Sequence, residues 1–224
     1  MPDSKMEFLK KTALLNGAGD AELAGISQYL FERQLKRGET VLSEGGEAQA
    51  LYFVAEGVVK VYKTSAEGKE QIISLMRPGD FFNEVPLLDN GPAPANVEAM
   101  GPALLYGIQK VNLRIILRQY PHVTGNLLAM LARRIRYLIS LVEDLSFRTV
   151  SSRVAKILLD TATLGADAGA RLTQRDMAAM AGTAREVVSR SLKYLEDRKL
   201  IEMRRHQIII KNMQGLKELV EPGF

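Results

Sequence analysis

The spacing of apolar and polar positions changes twice along the chain. Over the first 30 residues it suits one or two short helices. Within Ala21–Leu30, Leu23, Ile26 and Leu30 recur at helical spacing. From Arg37 to Gln109 the period shortens. Strand-like runs (Leu51–Val54, Val58–Tyr62, Ile72–Met76, Leu104–Ile108) are separated by glycine-containing turns such as Arg37-Gly38-Glu39, Glu56-Gly57, Glu67-Gly68-Lys69 and Pro78-Gly79-Asp80. In the second run Val59 and Val61 are expected on one face and Lys60 on the other. Many short strands with frequent turn signals predict a β-sandwich, jelly roll or barrel.

From Pro121 to Phe147 the period lengthens again. Pro121 suits a first helical position. Leu128, Leu131, Ile135, Leu138, Val142 and Leu145 then follow at steps of three and four, the seam of a coiled coil, with Arg133, Arg134, Arg136, Glu143 and Asp144 on the other faces and the Glu143-Asp144 pair read as its solvated flank. Such a seam predicts pairing with a second copy of the chain.

Thr149–Thr163 is a further helix, with Val154, Ile157, Leu158 and Ala162 inward, and Leu164–Gly169 reads as a loop. From Leu172 to Glu196 the pattern is helix, tight turn, helix. Thr173 is placed to cap the first helix, Gly182 to make the turn, and Thr183 to cap the second through a Thr183-x-x-Glu186 box. Val188, Leu192 and Leu195 form the buried stripe of the second helix, around residues 184–197. Arg185, Glu186, Ser189, Arg190 and Lys193 gather on another face. Glu202–Asn212 suits a two-stranded wing with Arg204, Arg205, His206 and Gln207 at its tip.

Charge sharpens this picture. Residues 1–147 hold 16 Lys/Arg against 17 Asp/Glu, and residues 148–224 hold 14 against 9, so the net +4 of the chain arises entirely in its last third. A locally basic balance there suits a polyanion. The polar face described above suits the major groove, about 12 Å wide, where arginine grips guanine O6 and N7 and a carboxylate accepts from cytosine N4. Gly182 and Ala184 allow close approach to a phosphate. A wing tip of basic residues touches phosphate without reading sequence.

Other chemistries are set aside on residue content. There is no cysteine, hence no disulfide, thiolate metal site or cysteine-held iron–sulfur cluster. His122 and His206 lie far apart and belong to no metal-ligand pattern, so no metal site is expected. No Walker loop, nucleophile elbow or dinucleotide fingerprint occurs, which argues against an enzyme. No apolar run is long enough to span a membrane, and the N-terminus lacks a signal-type apolar stretch. A cytoplasmic location is therefore expected.

The segment Arg185-Glu186-x-x-Ser189-Arg190 followed by Leu192-x-x-Leu195-Glu196, together with the glycine turns at Arg37-Gly38-Glu39, Gly57 and Gly79-Asp80, resembles the CRP/FNR family over nearly the full length. The resemblance implies an α+β chain of three parts. An N-terminal cyclic-nucleotide-binding-type β-roll (a jelly roll) with its helices takes residues 1–118. A long coiled-coil dimerisation helix takes 119–147. A C-terminal winged helix-turn-helix takes 148–224. It implies a homodimer that binds double-stranded DNA, with RNA polymerase as a further partner. Thr173, Thr183, Arg185, Glu186, Ser189, Arg190 and Lys193 would face DNA. Arg185, Glu186 and Arg190 fall on base-reading positions and imply a palindrome of TGTGA-like half-sites. The Glu186-x-x-Ser189-Arg190 pattern also fits TTGAT-like, FNR-type half-sites, and Arg185 favours the former.

The effector pocket, expected around Asn83, Glu84, Ala95 and Asn96, departs from the family's cyclic-AMP pattern. Asn83 stands where that pattern has glycine, and its arginine and serine positions fall on Pro94 and Ala95. A cyclic phosphate needs a guanidinium and further donors. An effector other than cyclic AMP, or none, is therefore expected, and no cofactor is assigned. Two other readings stand beside this one. The first is a haem- or small-molecule-sensing regulator with FNR-like half-sites; Pro2 is present for it, but the roll offers no histidine. The second is a sensor of the same type that no longer binds DNA.

Overall fold

The computed structural model describes residues 2–163, 172–204 and 207–220. The Leu164–Gly169 loop and the wing-tip residues Arg205 and His206 lie outside the described residues, as does the side chain of Pro2. The chain folds as two compact units. One comprises Met1–Lys63 with Ile73–Tyr137, the other Thr64–Ile72 with Leu138–Phe224.

The roll is built from two four-stranded sheets. β1 (Leu30–Leu35), β8 (Ala103–Gln109), β3 (Ala50–Glu56) and β6 (Phe81–Phe82) make one, in that order. β2 (Thr40–Leu42), β7 (Asn96–Ala99), β4 (Val59–Thr64) and β5 (Glu70–Met76) make the other. The apolar run Leu51–Val54 lies in β3, inside the first sheet, which is covered on both faces. Val54, Val59, Met76, Phe82, Val97 and Leu105 fill the space between the sheets. On the other face, Leu51, Phe53 and Ile108 pack with Leu9 of α1 (Pro2–Lys11), Leu23 and Ile26 of α2 (Asp20–Ser27), Leu87 of the short α3 (Glu84–Asp89) and Ile116 of α4 (Lys110–Gln119). Register in the antiparallel β3–β8 pair is set by partners such as Leu51 with Ile108 and Phe53 with Tyr106. Gly107 has a steric reason: a Cβ there would lie 2.1 Å from the Phe31 ring.

One sequence expectation changes here. Leu30 opens β1 instead of closing the second helix, which ends at Ser27. Lys60, expected on the face opposite Val59 and Val61, is buried there, with Glu98 taking its ammonium at 3.4 Å and the Tyr62 ring 4.3 Å from it. A lysine stem covers apolar surface well once its charge has a partner.

α5 (Pro121–Phe147) is continuous. Val123 and Leu127 are buried in the roll's helical core, with Met130 and Leu131 leaning on it. Leu128, Ile135, Leu138, Val142 and Leu145 are exposed in the single chain, Leu128, Ile135 and Val142 the most (62%, 58% and 63%). Leu131 thus differs from the rest of its stripe by packing against the roll's core. Two charged residues expected off the seam turn inward, and one of them, Asp144, belongs to the expected solvated flank. Asp144 is buried and ion-paired with both Arg148 and Lys156. Arg134 turns into the roll, toward Glu84. Among the described residues no helix is long and apolar enough to cross a membrane.

The second unit is built on α6 (Val150–Thr163), α7 (Gln174–Ala181), α8 (Arg185–Asp197), the hairpin β9 (Ile201–Arg204) and β10 (Gln207–Ile210), and α9 (Met213–Val220). Val154, Ile157, Leu158, Met177, Val188, Leu192 and Leu195 form its core. Ala162, expected inward, is exposed, and Ala155 takes the buried place because the inner face follows Val154 and Leu158. The periodicity of the chain does not announce α9, yet its Leu216 is fully buried.

Candidate functional site

α7 begins with the expected cap. The Asp176 amide donates to the Thr173 hydroxyl at 3.2 Å, and the Thr173 amide donates to the Asp176 carboxylate at 2.8 Å. The box satisfies two of the orphan donors of the helix start. Gly182 ends α7 in the left-handed region (φ +63°), and a Cβ there would meet Leu145 Cδ2 at 2.9 Å and Gln71 Oε1 at 3.0 Å. Both facts favour glycine.

Thr183 does not cap α8. Its amide donates back to Ala178 O at 3.0 Å, closing the turn after α7. The N-cap is Ala184 (φ −86°, ψ 153°), without a side-chain cap bond. The chain needs one more extended residue before the second helix than the Thr183-x-x-Glu186 spacing supposes. Glu186 therefore sits in the first turn, where its charge complements the positive end of the helix dipole. The first N–H groups of α8 receive no acceptor from the N-cap side chain.

Val188, Leu192 and Leu195 are fully buried, and Arg185, Glu186, Ser189, Arg190 and Lys193 are exposed on the opposite side of α8. Among the described residues, none of these four charged side chains is engaged in a hydrogen bond or ion pair. An ion pair of Glu186 with either arginine does not account for the cluster. Polar groups held on a rigid helix and left unpaired are suited to external hydrogen-bond partners.

Neighbouring charges modify the surface. Arg175, which the sequence pattern does not single out, is 81% exposed on α7, with Glu70 at 3.7 Å. Lys69 donates to Gly182 O at 3.4 Å. At the wing, Arg204 and Lys211 both bind Glu202 and hold its carboxyl at about 2, far below the usual carboxylate range. Arg204 is therefore ion-paired, and the three side chains together keep a single net positive charge.

The expected effector pocket lies in the first unit, as a cavity of about 70 Å³ lined by Phe82, Asn83, Glu84, Pro94, Ala95 and Arg134 among others. Asn83 adopts φ 74°, the left-handed conformation that asparagine tolerates better than most residues, and its amide donates to Ala50 O at 2.7 Å. Asn96 does not line this cavity. Its side-chain oxygen accepts from the Glu44 amide at 2.9 Å. Glu84 has a side chain only 3% exposed and receives Arg134 Nη1 at 3.1 Å. The same guanidinium donates to Phe81 O at 3.4 Å. Sequence reasoning misses Arg134 because the charged residues around it look like a solvated flank. A signal exists all the same, since Arg134 extends the Val123–Leu127–Met130 stripe that faces the roll.

Comparison with known proteins agrees with this architecture. Residues 32–120 match the model of the cyclic nucleotide-binding domain, and residues 152–219 that of the Crp-like helix-turn-helix domain. The chain is 31% identical to the cyclic AMP receptor protein of Thermus thermophilus, over 94% of this chain and 98% of that protein. It is 29% identical to a CRP-like cAMP-activated global transcriptional regulator of Mycobacterium tuberculosis, covering 94% and 97%. Among solved structures, FixK2 from Bradyrhizobium japonicum superposes with a TM-score of 0.77 at 28% identity, covering 87% of this chain and 99% of that one. The two domain matches and the full-length likeness to these regulators place the chain in the CRP/FNR family of DNA-binding transcription regulators.

Proposed function

We propose that the chain acts as a homodimer that reads a palindrome of TGTGA-like half-sites, with α8 as recognition helix. Arg185, Glu186 and Arg190 contact base edges. Thr173, Thr183, Ser189 and Lys193 contact phosphates or the groove wall, joined by the uncapped N–H groups of α8. The observation that carries this reading is the exposed, unpaired Arg185–Glu186–Arg190–Lys193 face set opposite a fully buried stripe. The division into a sensing domain (1–118), a dimerisation helix (119–147) and a DNA-binding domain (148–224) belongs to the same proposal, as does contact with RNA polymerase.

The effector is not cyclic AMP, or there is none. Pro94 and Ala95 supply no cation. Arg134, the cation that lines the cavity, is already committed to Glu84. An incoming phosphate would have to draw the half-buried Arg134 away from Glu84 and leave a buried carboxylate unpaired, which is costly.

The test is fluorescence anisotropy without added nucleotide, over a salt series, on a TGTGA–TCACA duplex and a scrambled duplex. A preference of about a thousand-fold or more for the palindrome is expected. Weak binding to both duplexes, steep in salt, would mean that an effector is needed to align the helices or that the half-site assignment is wrong. A companion titration with a fluorescent cyclic AMP analogue is expected to show no tight saturation, and tight saturable binding would refute the effector reading.

A further inference from the structure

We infer that Arg153 of α6 is the positioning residue that holds the recognition helix in a fixed orientation to the end of the dimerisation helix. Its guanidinium meets the carbonyl ends of two helices at once. Nε donates to Ala181 O, the last residue of α7, at 2.8 Å. Nη1 donates to Arg148 O at 2.7 Å and to Asp144 O at 3.4 Å, the final turn of α5 and the residue just beyond it.

Helix C-termini leave carbonyls without intrahelical partners and carry partial negative charge. Here two such ends converge on one cation whose planar donors point along fixed directions. The arrangement is reinforced on both sides. Asp144 is ion-paired with Arg148 and with Lys156 of α6. Leu145 and Gln71 close on Gly182, the residue immediately after Ala181.

Gly182 begins the turn into α8, so the orientation of α8 relative to the end of α5 depends on this contact. In a dimer, two recognition helices must enter the groove one helical turn, about 34 Å, apart. A half-site needs no such spacing. Arg153 therefore acts on palindrome recognition through α8, without touching DNA. This inference rests on the dimeric half-site reading above, and it is tested by one readout that uses that reading and one that does not.

The variants are Arg153→Met and Arg153→Lys. In the DNA-free protein, amide hydrogen exchange in the 178–186 turn and the 144–149 junction is expected to quicken by about tenfold or more in R153M, as befits loss of charge-assisted bonds. Exchange within the Val188–Leu195 core should stay near wild type. R153K, which retains the charge but not the fork, should fall between. On DNA, R153M should keep half-site affinity within about threefold and lose about tenfold or more of the palindrome-to-half-site ratio, with partial recovery in R153K.

Unchanged exchange at both junctions, or faster exchange spread evenly over the domain, would overturn the inference. So would an unchanged palindrome-to-half-site ratio in R153M when the wild type shows a large one. If the wild type itself shows no palindrome preference, the ratio carries no information on Arg153, and the exchange result alone decides whether Arg153 holds the junction.

Discussion

Arg185→Ala is expected to cost about 1–3 kcal/mol at each half-site, the value of a bidentate arginine–guanine contact. Two half-sites lie far enough apart for their losses to add, so the dimer should lose about 2–6 kcal/mol on the full palindrome. Arg185 is exposed, unpaired among the described residues, and one residue past the N-cap of α8. Its removal leaves no buried partner stranded, and the Val188–Leu192–Leu195 stripe is untouched. Stability should therefore stay near wild type, and the whole effect should appear in binding. Specificity should relax at one base pair per half-site. The measurement is anisotropy on duplexes carrying each base at that position. Arg185→Lys separates the two contributions of the side chain: charge is kept, the planar fork is lost. If Arg185 serves only as a phosphate contact, alanine lowers affinity for palindrome and scrambled duplex alike and reduces the salt slope, with no change in base preference. That result would remove Arg185 from the base-reading set.

Residues whose role follows from their own element are readable in the sequence. The buried stripe of α8, the Thr173–Asp176 box and the left-handed Gly182 depend on neighbours a few positions away, and periodicity carries them directly. Charged residues whose role depends on a distant element are not. Arg134, Asp144 and Lys60 all sit in patterns that look solvated, yet each is drawn inward by a partner remote in sequence: Glu84, Lys156 and Glu98. Thr183 misleads for a different reason. A capping box is a spacing rule, and the spacing is satisfied, but the backbone commits the Thr183 amide to closing the preceding helix. The pocket departure is visible as missing side chains at Pro94 and Ala95. The neutralisation of Glu84 from α5 is not, because nothing in the roll's own sequence records it.

Placing a carboxylate in the seam of α5 should have an effect of comparable size on DNA binding through a different route. Ile135 and Val142 are 58% and 63% exposed in the single chain, so Ile135→Glu with Val142→Glu removes little buried surface from the folded protomer. In a helix pair each would face its own counterpart, and four carboxylates would be brought together out of water. Burial of like charges without partners is costly enough to prevent association. By sedimentation equilibrium the double variant is expected to be a monomer at micromolar concentrations at which the wild type is expected to be a dimer. Circular dichroism should be nearly unchanged. Palindrome affinity should fall by about 10²–10⁴-fold, the gain that tethering a second binding module supplies when geometry allows both to engage. Half-site affinity should not change, since Arg185, Glu186 and Arg190 lie on α8 and keep their exposure in one chain. A variant that remains dimeric would mean that the exposed face of Leu128, Ile135, Leu138 and Val142 is not where two copies meet. A variant that becomes monomeric yet binds the palindrome at wild-type strength would separate dimerisation from DNA recognition altogether. The combination expected, monomer formation with half-site affinity retained, requires both the apolar seam and the polar face of α8 to work as assigned.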